Sequence, residues 1–186
     1  MLRLASLTTT LLAALALAGC GTPSQPLPMA VTAASALQIR GWVPEALQSQ
    51  VGMAPVQGGE ATNKWWGSKV SAIALQQALE ESLFAVGMKP PSPQPEPRFE
   101  LQAELAAVEQ PMVPALGVTV GVAVRYTLID KAAGGRIVYQ RRIANTDEAS
   151  LGDAIVSPSE RLRIANERAL RANIDLLLRD LVTLRP

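Results

Sequence analysis

The sequence predicts an α+β domain: a two-layer sandwich of about four mainly antiparallel strands with two long helices on one face, ordered β-α-β-β-β-α. Two stretches, Trp65 to Met88 and Ser157 to about Leu184, repeat their apolar residues at steps of three and four, the period of a helix with one buried face. Three stretches between Phe99 and Ala144 alternate apolar and polar residues, the period of a half-buried strand. The spacing between those three is short enough for antiparallel neighbours.

The first twenty residues carry Arg3, a Leu/Ala run from Leu11 to Ala18, and small residues leading into Cys20, the single cysteine of the sequence. This is the charged start, apolar centre and small-residue exit of an export leader. The apolar run is too short to cross a bilayer, which takes about 20 apolar residues. Leu17-Ala18-Gly19-Cys20 resembles the lipobox of bacterial lipoproteins. That resemblance implies cleavage before Cys20, acylation of Cys20 by chains such as palmitate, and a membrane anchor. The chain then divides into a signal peptide (1–19), a lipidated flexible tether (20–33) and one α/β-sandwich domain (34–186). Gly21 departs from the Asp that marks inner-membrane retention in the enterobacterial sorting pattern. By that resemblance the protein is held on the periplasmic face of the outer membrane.

Ser35 to Val43 alternates Leu37, Ile39, Gly41 and Val43 with Gln38, Arg40 and Trp42, and reads as the first strand. Pro44 to Thr62 is a Gly-, Pro- and Gln-rich loop with room for one short strand near Gln50 to Met53. In the first long helix Ala72, Leu75, Leu79, Leu83 and Val86 share a face, Asn63 is a candidate cap, and Gly87 with Pro90 and Pro91 stops it. Trp65 and Trp66 point about 100° apart on a helix. Either one seats in the core and the other lies along the surface, or the pair is an aromatic anchor for a partner or a membrane interface. Five prolines between Lys89 and Pro97 make a stiff spacer.

The strands follow at Phe99 to Val108, Gly117 to Asp130 and Ile137 to Ala144, with Gly134-Gly135 in the hairpin turn between the last two. The connection Gln110 to Leu116 sets Met112 and Val113 between Pro111 and Pro114. An apolar pair at a loop tip either folds back on its own domain or enters a partner's cavity or a membrane. Asn145 to Val156 reads as a polar connector. Ser157 caps the last helix, with Pro158 at its first position and Glu160 in its first turn. Arg161, Arg168, Arg171, Asp175 and Arg179 read as its wet stripe. Leu162, Ala165, Ala169, Ala172 and Leu176 form one apolar band, and Leu170, Ile174, Leu178 and Leu181 a second. Between the bands Ser159, Asn166, Asn173 and Asp180 recur every seventh residue.

Composition removes several function classes. The 17 basic side chains, less Arg3 of the leader, balance the 16 acidic ones, so the basic footprint of a nucleic-acid binder is missing. The chain holds no histidine, and its one cysteine is claimed by the lipobox. No zinc, copper or iron site is expected, no cofactor, and no His-based catalysis. Ser68-Lys69 are neighbours that point apart on a helix, and no complete nucleophile–base pair is legible. The catalytic set is expected to be empty.

Behind the lipobox, the element order resembles small periplasmic α/β-sandwich lipoproteins of the outer membrane: LptE-like, YajG-like, and the auxiliary lipoproteins of ABC-type lipid transport. The resemblance implies a non-catalytic accessory or assembly module of an envelope or transport complex. Its partners would be the membrane, through acylated Cys20, and an envelope protein, either an outer-membrane barrel or a transport component. Candidate contacts are Met112 and Val113 at the loop tip and Trp65 and Trp66 at the helix start. Two other classes stay open to the residues: binding of a lipid or apolar ligand between sheet and helices, and an envelope enzyme.

Overall fold

A computed structural model describes residues 23–58, 70–92, 96–111, 117–154 and 157–186. The elements are α1 (Pro26–Met29), α2 (Ala33–Arg40), a single 3-10 turn (Glu45–Leu47), β1 (Val51–Met53), β2 (Gln57–Gly58), α3 (Ala72–Ala85), β3 (Phe99–Glu109), β4 (Val118–Asp130), β5 (Arg136–Ala149) and α4 (Pro158–Leu181). Among the described residues the fold is mixed α+β, with five strands in one sheet and three helices of eight residues or more. Strand number and element order therefore differ from the expected β-α-β-β-β-α.

The expected strand at Ser35 to Val43 is instead α2. Thr32 caps it, its hydroxyl accepting from the Ser35 N–H at 3.2 Å. Ala33, Ala34 and Ala36 supply helix propensity, and Ala36 and Ile39, three apart, are the buried pair. Four alternating residues fit both periods, and the cap with the alanines decides for the helix. The expected short strand is found at Val51–Met53, and Gln57–Gly58 adds a further two residues to the same edge.

The sheet runs β1-β3-β4-β5, with β2 also paired to β3. The β3-β4 and β4-β5 pairs are antiparallel, while β1 and β2 run parallel to β3, the α3 segment lying between them in sequence. Gly58 has φ +79, and a Cβ there would stand 2.5 Å from the Leu105 carbonyl oxygen. Only glycine permits that backbone approach. Gly134 and Gly135, at φ +68 and +83, close the β4-β5 hairpin.

Phe99, Leu101, Ala103 and Leu105 of β3 and Val118, Val120, Val122, Val124, Tyr126 and Leu128 of β4 are buried on the inner face. The alternation in the sequence thus points these residues at the helices. A bulge between Leu105 and Ala107 shifts the β3 register, so Ala107 faces outward opposite Ala123. β5 continues to Ala149, five residues past the expected end, because Asn145 to Ala149 keep pairing with Val122 to Val118.

α4 packs on β4 and β5, and α3 on the β1 side. The Ser157 hydroxyl accepts from the Glu160 N–H, as the sequence predicts, and Ser71, rather than Asn63, caps α3. The two long helices touch each other little. The groove between them is filled by the N-terminal segment, with Met29, Ala36 and Ile39 buried against both.

Candidate functional site

The residues singled out by the sequence, Cys20, Trp65, Trp66, Met112 and Val113, all lie outside the described residues, as do Ser68 and Lys69. Their anchorages are described. The first is the N-terminal segment, expected to belong to a flexible tether up to residue 33. It is bound from Ser24 onward. The Gln25 N–H donates to Glu167 Oε1 at 2.7 Å, Arg171 Nε donates to the Pro28 carbonyl at 2.7 Å, and the Val31 N–H donates to Ser82 Oγ at 3.1 Å. The Ser35 hydroxyl donates to the Asp175 carboxylate. One strand of backbone is thus fastened to α3 through Ser82 and to α4 through Glu167, Arg171 and Asp175.

This overturns the reading of the Arg161–Arg179 series as a wet stripe. Arg161 is buried and donates to the Ala154 carbonyl at 2.5 Å, while Arg171 holds Pro28. Sequence periodicity located the stripe correctly but could not show a segment some 140 residues earlier folding over it. Glu167 is itself buried and accepts two bonds from Arg163 Nη1, both at 2.7 Å, while Arg163 also engages Glu160. The bond to Glu160, and then that to Glu167, hold the Arg163 guanidinium above its ordinary range, and Arg163 in turn lowers Glu160. The carboxylate that takes the Gln25 N–H is therefore held by a cation on its own helix.

The second anchorage is at the β3-β4 connection. Gln110 Nε2 donates to Asn166 Oδ1 at 3.0 Å. Asn166 and Glu167 are neighbours on α4, so the strand end leading to Met112 and the segment leading from Cys20 meet the same turn of that helix. Its loop neighbour is pinned too: Arg168 Nη2 donates to Asp153 Oδ1 at 2.5 Å. That bond first, then the Ser150 N–H, brings the Asp153 carboxyl down to about 2.

Of the polar residues that recur every seventh position, Asn166, Asn173 and Asp180 reach the sheet or its strand ends, whereas Ser159 bonds Ser157 at the helix start. Asn173, fully buried, accepts from the Tyr126 hydroxyl at 2.9 Å and donates to the Ile143 carbonyl at 3.0 Å and to Asn145 Oδ1 at 2.7 Å. One turn pair further on, Asp180 accepts from the Tyr139 hydroxyl at 2.7 Å and from Arg141 Nη1 at 2.7 Å. Burial raises both tyrosines, and for Tyr139 the Asp180 carboxylate adds to the effect. They are neutral hydrogen-bond donors at all ordinary pH. Asn166, Asn173 and Asp180 thus fix the register of helix on sheet, rather than marking a seam between two apolar bands.

The outer sheet face is built in rows across β3, β4 and β5: Gln102–Thr127–Gln140, Glu104–Arg125–Arg142 and Ala107–Ala123–Ala144. Arg125 pairs with Glu104 at 2.7 Å, whereas its other neighbour in register is Arg142, a like charge. Beside this row the small residues Ala107, Gly121, Ala123 and Ala144 leave a depression of about 400 Å³ between Glu109 and Arg142. A second depression, of about 520 Å³, lies where Thr32 and Ser35 meet Arg168, Arg171 and Asp175. Both are open to solvent. Between sheet and helices the space is taken by side chains, with Phe99, Tyr126, Leu128 and Leu170 fully buried. Among the described residues no cluster of three or more His, Cys, Asp or Glu side chains could hold a metal. No helix there is long and apolar enough to cross a membrane.

No family model matches the sequence, and no curated protein matches it. Solved structures do resemble the fold. A Caulobacter crescentus protein described as a lipoprotein superposes with a TM-score of 0.51 at 16% identity, over 78% of this chain and 93% of that one. A Xanthomonas campestris protein of the DUF330 family superposes with a TM-score of 0.52 at 12% identity, over 76% and 90% of the two chains. At such identities the likeness is one of fold alone.

Proposed function

We propose that this chain is a lipoprotein of the bacterial envelope, anchored through acylated Cys20 and acting without catalysis as an accessory or assembly module of an envelope or transport complex. One observation carries the reading: Leu17-Ala18-Gly19-Cys20 closes an apolar leader as a lipobox does, and the described chain is fastened to α4 from Gln25, five residues after Cys20. A segment of that kind is available for export and acylation. The description of the Caulobacter crescentus protein as a lipoprotein supports the same reading. Gly21 after Cys20 favours the outer membrane, with the domain in the periplasm.

The partner is an envelope protein, an outer-membrane barrel or a transport component, taken up by Met112 and Val113 at the β3-β4 tip and by Trp65 and Trp66 ahead of α3. What precedes the tip favours this: Gln110 is tied to Asn166 on the turn of α4 that also receives Gln25, so the strand end before Met112 and the segment after Cys20 are held by one turn of that helix. The test is in-cell photo-crosslinking from Met112 and Val113, with mass spectrometry of the membrane-fraction adducts. One dominant envelope protein is the expected result. Lipid adducts alone would replace the accessory role with lipid handling, and a tip without specific adducts would contradict it.

A further inference from the structure

Most of the exposed large apolar side chains of the described surface gather on one side. Of its eight exposed large apolar side chains, Leu27, Leu37, Trp42, Ile73, Phe84 and Leu176 belong to the helical side, whereas Ile137 lies on the outer sheet face and Leu151 in the loop before α4. Leu27, Leu37 and Trp42 are 75%, 73% and 76% exposed, although their neighbours Met29, Ile39 and Val43 are buried. In α1 and α2 the inward residues fill the groove between α3 and α4, so the outward ones face away from the sheet. Arg40 stands between Leu37 and Trp42 in sequence. A tryptophan, two leucines and an arginine form the set that settles at a lipid–water interface, with rings and chains at the acyl boundary and the cation among headgroups.

The length of chain outside the fold says what this side meets. From Cys20 to Ser24 is four residues, a reach of at most about 14 Å. Gln25 is bound to Glu167 on the helical side. The outer sheet face lies beyond a helix layer and the sheet itself, with each layer spacing about 10 Å. An anchor so short cannot pass around both, so the sheet cannot be the surface turned to the bilayer. We propose that the outer side of α1, α2 and the turn that follows α2, carrying Leu27, Leu37 and Trp42, lies flat on the membrane that holds Cys20, and that the outer sheet face, with Arg125 and Arg142, is turned to the periplasm. The inference rests on the lipidation of Cys20.

The test uses the full lipidated chain in vesicles of phosphatidylethanolamine and phosphatidylglycerol. Acylated Cys20 has no free thiol, so single substitutions Leu27→Cys, Leu37→Cys, Leu151→Cys and Ile137→Cys each offer one site for an environment-sensitive fluorophore. All four positions are exposed, and the fold tolerates them. Labels replacing Leu27 and Leu37 are expected to shift to the blue and to lose intensity to nitroxide-bearing lipids, while the label replacing Ile137 stays open to aqueous iodide. If the protein floats with the vesicles but the Leu37→Cys label behaves as the Ile137→Cys label does, the flat orientation is overturned and the anchor stands. Quenching of the Leu151→Cys label alone means that the domain stands on its end, which also overturns it. Failure to float removes the lipoprotein reading and this inference with it.

Discussion

The backbone N–H of Gln25 donates to the buried carboxylate of Glu167, 142 residues away in sequence, at 2.7 Å. That bond fastens the N-terminal segment to α4 nine residues ahead of the domain start expected at residue 34. Four residues separate Cys20 from Gln25 in the sequence.

Glu167→Ala removes the acceptor for Gln25 and one of the two carboxylates on Arg163. A half-buried N–H and a partly buried guanidinium then lose partners, at a cost of about 1–3 kcal/mol. Urea denaturation measures the loss. Limited proteolysis should in addition cut ahead of Val31 faster than in the unaltered chain, and an unchanged cleavage pattern would mean that the other bonds hold the segment alone.

Met29→Ala and Leu27→Ala separate the two sides of α1. Met29 is fully buried, so its truncation is expected to cost about 2–5 kcal/mol. Leu27 is exposed, and its truncation should stay within about 0.5 kcal/mol in detergent-free solution. Equal effects would place the N-terminal segment elsewhere.

Asn173→Leu keeps the branched shape of the side chain but strips the Tyr126 hydroxyl, the Ile143 carbonyl and Asn145 of a shared partner. A loss of about 2–4 kcal/mol is expected, since the buried Tyr126 hydroxyl and Ile143 carbonyl and the half-buried Asn145 amide oxygen lose this partner at once. The double variant with Tyr126→Phe should lose less than the sum of the two single changes.

Asp153 is held at about 2 from an ordinary 3.8, chiefly by Arg168. A carboxyl lowered in the folded state adds stability that is complete above its unfolded value and fades as pH falls toward the folded one. Asp153→Asn should therefore be less stable than the unaltered chain above about pH 5, with the gap closing between about pH 4 and 2. A gap independent of pH across that window would mean that the pair with Arg168 does not form.

The long elements were legible because each repeats its period often enough to exclude the other: β4 alternates over thirteen residues, and α4 keeps its apolar bands over twenty-four. Short elements were not. α2 has eight residues, four of which alternate by chance, and β2 has two whose pairing to Glu104 and Leu105 depends on contacts distant in sequence. The recurrence of Asn166, Asn173 and Asp180 was visible, but its direction was not, because Tyr126, Tyr139 and Gln110 supply the partners from separate strands. Arg171 and Asp175 looked like solvated charges for the same reason: what covers them, Pro28 and Ser35, comes from the other end of the chain. The candidate site residues Cys20, Trp65, Trp66, Met112 and Val113 were read from local motifs, and all lie outside the described residues.

The measurement that bears most directly on the central claim is the intact mass of the N-terminal peptide of the protein purified from membranes, paired with fractionation of Cys20→Ser. The account predicts a chain beginning at Cys20 with its mass raised by a diacylglycerol group, and release of Cys20→Ser from the lipidated membrane pool. An unmodified Cys20, or cleavage of the leader at another residue, would contradict it.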